Sequence, residues 1–188
     1  VGFITQPLPI GGVSIVVITV AALTGTLKIG EAISGFANSA IWLIVGAFLF
    51  SRGFIKTGLG KRIAYNLIAA FGSSSLRLSY ALALSDLILA PATPSNTARV
   101  GGVIMPITTS LAKAFGSEPQ DGPRKIGSFL MQSIYQVNTI TSAMFQTSMA
   151  GNTLVAALAL QSFGIGITWG DWAMAAIVPG IIALIIMP

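Results

Sequence analysis

The residues able to do chemistry in this chain cluster in one stretch, Pro91-Ala92-Thr93-Pro94-Ser95-Asn96-Thr97-Ala98-Arg99. Prolines 91 and 94 remove backbone donors and stop an incoming helix. Ser95, Asn96 and Thr97 then stand at the start of an outgoing helix, where unpaired N–H groups carry a partial positive charge. A carboxylate is a natural guest there, with the Asn96 and Thr97 side chains as further donors. Exposed carbonyl and hydroxyl oxygens at the same break can instead hold a cation such as sodium. The plainer reading is that Ser95 or Thr93 simply caps the helix. Thr147-Ser148-Met149-Ala150-Gly151-Asn152-Thr153 has the look of a second break. There Gly151 permits close approach, and Asn is again followed by Thr. The alternative for Gly151 is a kink used in helix packing. The reading that joins the two breaks has them face each other across one site.

Other chemistries are excluded by what is missing. The chain has neither histidine nor cysteine, so imidazole catalysis, Cys/His metal sites and disulfides are all ruled out. Its five carboxylates are Glu31, Asp86, Glu118, Asp121 and Asp171. Only Asp86 lies within an apolar stretch, so no acid–base pair can be assembled at membrane depth and the chain is not expected to be an enzyme. Asp86 is read as a proton relay or as a satisfied structural partner. Arg99 is an ionisable residue near the membrane interior. It pairs with substrate or with Asp86, or else snorkels to the surface.

The elements that must position these residues are apolar helices. Hydrophobic residues make up 54% of the 188 residues and charged residues only 8%, against about a quarter in soluble domains. Bilayer is therefore the expected solvent, and the fold class is an all-α integral membrane protein. Residues 1–72 read as transmembrane helices, Gly11 to Leu27 and Phe36 to Phe50, followed by an amphipathic surface helix from Lys61 to Phe71. Residues 73–115 read as a re-entrant hairpin with the Ser-Asn-Thr segment at its tip, because each arm is only about 15 residues, short for a crossing. Residues 116–168 read as a cytoplasmic loop, Gly116 to Lys125, and a helix broken near its middle. Residues 169–188 form a final span that opens on Trp169 and Trp172, aromatic residues typical of an interface.

The net charge of +5 does not indicate nucleic acid, since the basic residues are scattered without a recognition motif. They report topology instead. With a hairpin, eight of the ten, Arg52, Lys56, Lys61, Arg62, Arg77, Lys113, Arg124 and Lys125, fall on one side, taken as cytoplasmic. Lipid headgroups are their expected partners. The opening Val1 and the closing Pro188, inside an apolar run, suggest a segment of a longer protein.

The stretch PATPSNTARVGGVIMP, Pro91 to Pro106, resembles the first Ser-Asn-Thr signature of the divalent anion/sodium symporter family. It is closest to the branch of bacterial citrate, tartrate and succinate carriers and plastid 2-oxoglutarate/malate translocators. TSAMFQTSMAGN, Thr141 to Asn152, is similar to the broken helix of that branch. The resemblance implies two inverted repeats, each with a re-entrant hairpin and a broken helix. This chain would be one half, and the second repeat would be absent. It implies secondary transport of di- or tricarboxylates (malate, succinate, 2-oxoglutarate, citrate or tartrate) by elevator-like alternating access in a homodimer. Both exchange and cation coupling occur in the branch. Substrate contacts would come from Ser95, Asn96, Thr97, Asn152 and Thr153. Ser95, Asn96 and Gly151 would frame a possible sodium site, and no other cofactor is expected. A carrier of another small anion, such as sulfate, is the alternative. The expected location is the bacterial inner membrane, with the plastid inner envelope second.

Overall fold

A computed structural model of the chain describes residues 2–5, 7–118 and 125–188, and every regular element among them is helical. The sequence-predicted loop from Gly116 to Lys125 lies in large part outside the described residues. The chain divides into two units, Val1–Trp42 and Leu43–Pro188.

The first unit holds α1 (Gly2–Thr5), α2 (Ile10–Leu23), α3 (Ile29–Ala32) and a 3₁₀ turn at Ser34–Ala37. The apolar run from Gly11 to Leu27 predicts a longer helix than α2. It stops at Leu23 because Gly25 takes the left-handed conformation (φ 70°) and the chain turns there.

Helix α4 (Ser39–Thr57) runs well past the apolar stretch and carries Arg52 and Lys56 in its last turns. Its end is set by Gly58 at φ 69°, a left-handed position that costs a residue with a Cβ about 1–2 kcal/mol. Helix α5 (Leu59–Phe71) leaves that glycine at 59° to α4. By length and composition, α4 and α5 together, and one further helix alone, are apolar enough to cross a membrane.

Helix α6 (Ser75–Leu89) starts at Ser74, whose hydroxyl accepts the Arg77 N–H. It tightens into a 3₁₀ turn at Ala90–Ala92. The chain is extended at Thr93 and Ser95 and becomes helical again in α7 (Asn96–Arg99). A π-helical segment, Val100–Ile104, leads into α8 (Met105–Ala114). Pro106 accounts for the π segment: it has no N–H for the carbonyl four residues back, and the ladder widens around the gap. The start of α6, the end of α8 and the start of the next helix, α9 (Ile126–Met144), line one groove through Ser74, Phe115 and Lys125. The start of α6 and the end of α8 therefore lie near each other.

Helix α9 breaks off at Phe145. A 3₁₀ turn at Gln146–Ser148 follows, and α10 (Ala150–Phe163) resumes the helix. Helix α11 (Trp169–Ile186) opens on a Thr168–Asp171 capping box and is the one described helix that alone is long and apolar enough to span.

Where lipid replaces water, burying apolar side chains between helices gains little, and close packing through small residues takes over. Leu82, Leu89, Val103, Ile104, Leu130 and Ile134 form the core between α5, α6, the π segment, α8 and α9. Gly60 admits Val103, whose methyl carbons lie 3.3 Å from where a Cβ would stand. A second cluster joins Ala83, Val137, Met144 and Leu184. There Gly180, just after Pro179 in α11, opens a notch for the side chain of Met144.

Candidate functional site

Breaking two helices inside a packed core frees backbone carbonyls, and each needs a donor. At the first break Pro94 has no N–H to offer and the chain is extended at Thr93 and Ser95, so the carbonyls of Pro91, Thr93 and Pro94 have no helical partners. All three take donors from elsewhere. The Thr147 hydroxyl donates to the Pro91 carbonyl at 2.8 Å. The Arg99 guanidinium donates to Thr93 O at 3.2 Å. The backbone N–H of Ala150 donates to Pro94 O at 3.1 Å. Two of these three donors belong to the second break, so the breaks are hydrogen-bonded face to face.

The second break is satisfied largely by its own side chains. The Asn152 amide nitrogen donates to Ser142 O at 2.7 Å and Phe145 O at 3.0 Å. Thr153 donates to Gln146 O at 3.1 Å. The Ser148 hydroxyl reaches Ser142 O at 2.7 Å, and its carbonyl accepts from Arg99 at 3.2 Å. Helix α11 contributes two indoles. Trp172 donates to Ala143 O at 2.9 Å, and Trp169 to the Thr147 hydroxyl at 3.0 Å.

Arg99 sits at the centre of this arrangement with no solvent exposure. A guanidinium has five N–H donors, and all five have acceptors here. Nε binds Asp86 Oδ1 at 2.8 Å in a buried ion pair. Nη1 binds the carbonyls of Thr93 and Ser148. Nη2 binds the hydroxyls of Thr141 at 3.2 Å and Ser142 at 2.9 Å. The second carboxylate oxygen of Asp86 accepts from Thr141 and, at 3.4 Å, from Asn138. One side chain thus ties together α6, both breaks and α9. The geometry places Arg99 against Asp86 and in the interior.

Ser95 caps α7, its hydroxyl accepting the Ala98 N–H at 3.2 Å. Asn96 and Thr97 stand on the more open side. The Asn96 Oδ1 accepts the Thr97 N–H at 2.8 Å and the Thr97 hydroxyl at 3.4 Å. The Asn96 amide nitrogen has no partner among the described residues. Thr97 is exposed, Ser95, Asn96 and Gly151 are half-buried, and Asn152 and Thr153 are buried. What the arrangement offers a ligand is thus a small set of neutral donors, the Asn96 amide and the Thr97 hydroxyl, beside a positive charge already matched by Asp86.

Sequence reasoning found Arg99 and Asp86 and missed their partners Asn138, Thr141 and Ser142, together with the roles of Thr147 and Trp169. A signal for the first group exists: Asn138, Thr141 and Ser142 are polar residues at spacings of three and four, hence on one face of the helix.

Residues 1–188 match the family described as the sodium:sulfate symporter transmembrane region. A putative malate transporter of Bacillus subtilis is 58% identical over 100% of this chain and 40% of its own length. A chloroplastic dicarboxylate transporter of Spinacia oleracea is 50% identical over 100% of the chain and 33% of its own length. An L-tartrate/succinate antiporter of Escherichia coli is 39% identical over 100% of the chain and 42% of its own length. All three carry the names of transporters, and the chain spans well under half the length of each.

Proposed function

This chain belongs to the sodium:sulfate symporter family, and from that premise we propose that it forms one inverted-repeat half of a secondary carrier for dicarboxylates. The observation that carries the reading is the pair of helix breaks held face to face, with Asn96 and Thr97 on their open side. Broken helices that meet in the membrane are how many secondary transporters bind a polar substrate. The tip at residues 90–95 lies at membrane depth, and the hairpin re-enters from the side that carries Arg77, Lys113 and Lys125. Irregular backbone is tolerated there because every freed carbonyl named above has a donor.

Asn96 and Thr97 donate to one substrate carboxylate beside the N-terminus of the helix that Ser95 caps. Asn152 and Thr153 build the opposite wall, and Gly151 keeps it low. Arg99 and Asp86 hold both walls in register. The substrate is a four- or five-carbon dicarboxylate such as malate, succinate or 2-oxoglutarate, in keeping with the names of the relatives; tartrate and citrate are further candidates. The second half of the site comes from the remainder of a longer polypeptide, which works as a homodimer in a bacterial inner membrane or a plastid envelope.

The test is uptake of labelled malate and succinate into proteoliposomes holding the full-length polypeptide that carries this chain. Uptake that needs internal dicarboxylate marks an exchanger. Uptake that needs external sodium marks a symporter, with the cation framed by Ser95, Asn96 and Gly151. Uptake of sulfate that dicarboxylates do not compete with sinks the proposal in favour of the other small-anion reading. So does the absence of any carboxylate uptake.

A further inference from the structure

The Pro91 carbonyl is orphaned by Pro94, which supplies no N–H one turn on. Its donor is the Thr147 hydroxyl, and that hydroxyl in turn accepts the indole N–H of Trp169 at 3.0 Å. A threonine hydroxyl has one proton to give. With the indole N–H directed at its lone pair, that proton points at Pro91. The Trp169 ring is itself fixed. It stacks on Phe145 with centroids 5.8 Å apart and planes 16° from parallel. Its helix is anchored at this end by the Thr168–Asp171 capping box and by the bond from Trp172 to Ala143 O. The Gln146 amide also reaches Ile167 O at 3.5 Å. The first turn of α11 therefore holds the second break from outside, and Thr147 passes that hold to the tip of the first.

We propose that Thr147 and Trp169 are positioning residues for substrate: the chain Trp169–Thr147–Pro91 sets the separation of the two helix breaks and so the width of the carboxylate gap between them. The proposal rests on the reading under Proposed function. Neither residue touches substrate. Each acts by fixing Pro91, five residues ahead of Asn96, relative to the opposite wall. Arg99, on Thr93 O and Ser148 O, and the Ala150 N–H, on Pro94 O, also tie the breaks together, but neither engages the Pro91 carbonyl.

Three single variants and one double test it in proteoliposomes with the full-length polypeptide, each first checked for membrane insertion and monodisperse elution. Thr147→Val keeps the shape and removes the hydroxyl. Thr147→Ser keeps the hydroxyl. Trp169→Phe keeps the stack and removes the N–H. Thr147→Val is expected to raise the KM for succinate by about two- to tenfold, the range that one net hydrogen bond supports. The maximal rate should hold and Thr147→Ser should restore the KM. Trp169→Phe is expected to raise KM less, and to have no further effect in the Thr147→Val background. A wild type that transports succinate with variants of unchanged KM overturns the proposal. A loss of maximal rate alone, or additive effects of the two substitutions, overturns it as well, since both mark ordinary packing. If Thr147→Val does not insert, Trp169→Phe decides by the same KM criterion. A wild type that moves no dicarboxylate overturns the parent reading and this one with it.

Discussion

Replacing Arg99 with methionine removes five donors at once while keeping most of the side-chain volume. The carbonyls of Thr93 and Ser148 lose the donor that bridges them, and Asp86 is left buried with only Thr141 and Asn138 as partners. Removing one member of a buried ion pair costs about 3–5 kcal/mol, because the remaining charge stays buried and unmatched. The reciprocal change, Asp86→Asn, leaves the guanidinium its acceptors but no anion, and puts an NH2 where Thr141 and Asn138 now donate. The double variant removes both charges and escapes the unmatched-charge penalty. It still pays for the two orphaned carbonyls, at about 1–3 kcal/mol each. The two single losses should therefore exceed the double by a coupling of about 2 kcal/mol or more, at the upper end of what contacting residues show. Arg99→Lys should fall between wild type and Arg99→Met, since three ammonium donors cannot serve five acceptors. Unfolding of the purified full-length polypeptide at fixed detergent, followed by tryptophan fluorescence, reads all four corners of the cycle. Single variants that simply add, with coupling under about 0.5 kcal/mol, would refute the claim that this pair holds the breaks together.

Three further outcomes follow from the packing. Gly180→Val should destabilise the chain by about 1–3 kcal/mol, because a Cβ at that position would lie 2.6 Å from Met144 Cγ; Met144→Ala in the same chain should recover part of the loss in the same unfolding assay. Ser79→Ala should be neutral or stabilising by about 1 kcal/mol, since the Ser79 hydroxyl is buried without a partner among the described residues. Gly58→Ala should cost about 1–2 kcal/mol, read as a lower unfolding midpoint, because Gly58 sits at φ 69° where α4 turns into α5.

Local chemistry was readable in the sequence, and long-range pairing was not. Prolines 91 and 94 mark the first interruption, since a missing N–H acts within one turn of where it is written. The glycine and asparagine of the second break act at the same short range. Helix ends were harder. Gly25 stops α2 inside an unbroken apolar run, whereas α4 continues through Arg52 and Lys56, because a glycine at positive φ ends a helix and a charge at its last turn does not. The partners of Arg99 lie 6 to 49 residues away along the chain. No local periodicity connects Arg99 to Ser148, and only the packing of α6, α9 and the two breaks brings them together. Trp169 illustrates the same gap. Its type suggests an interfacial anchor, while its indole N–H is committed to Thr147.

The central claim, that the open side of the facing breaks binds a dicarboxylate, is tested most directly by substituting Asn96 and Thr97. Binding of succinate to the purified full-length polypeptide should be measured by titration calorimetry for the wild type, Asn96→Ala and Thr97→Ala, alongside membrane insertion of each. The account predicts saturable binding by the wild type that both substitutions abolish while insertion is unchanged. Undiminished binding by both variants, or loss of insertion in step with loss of binding, would contradict it and leave Ser95, Asn96 and Thr97 as no more than the cap of a helix.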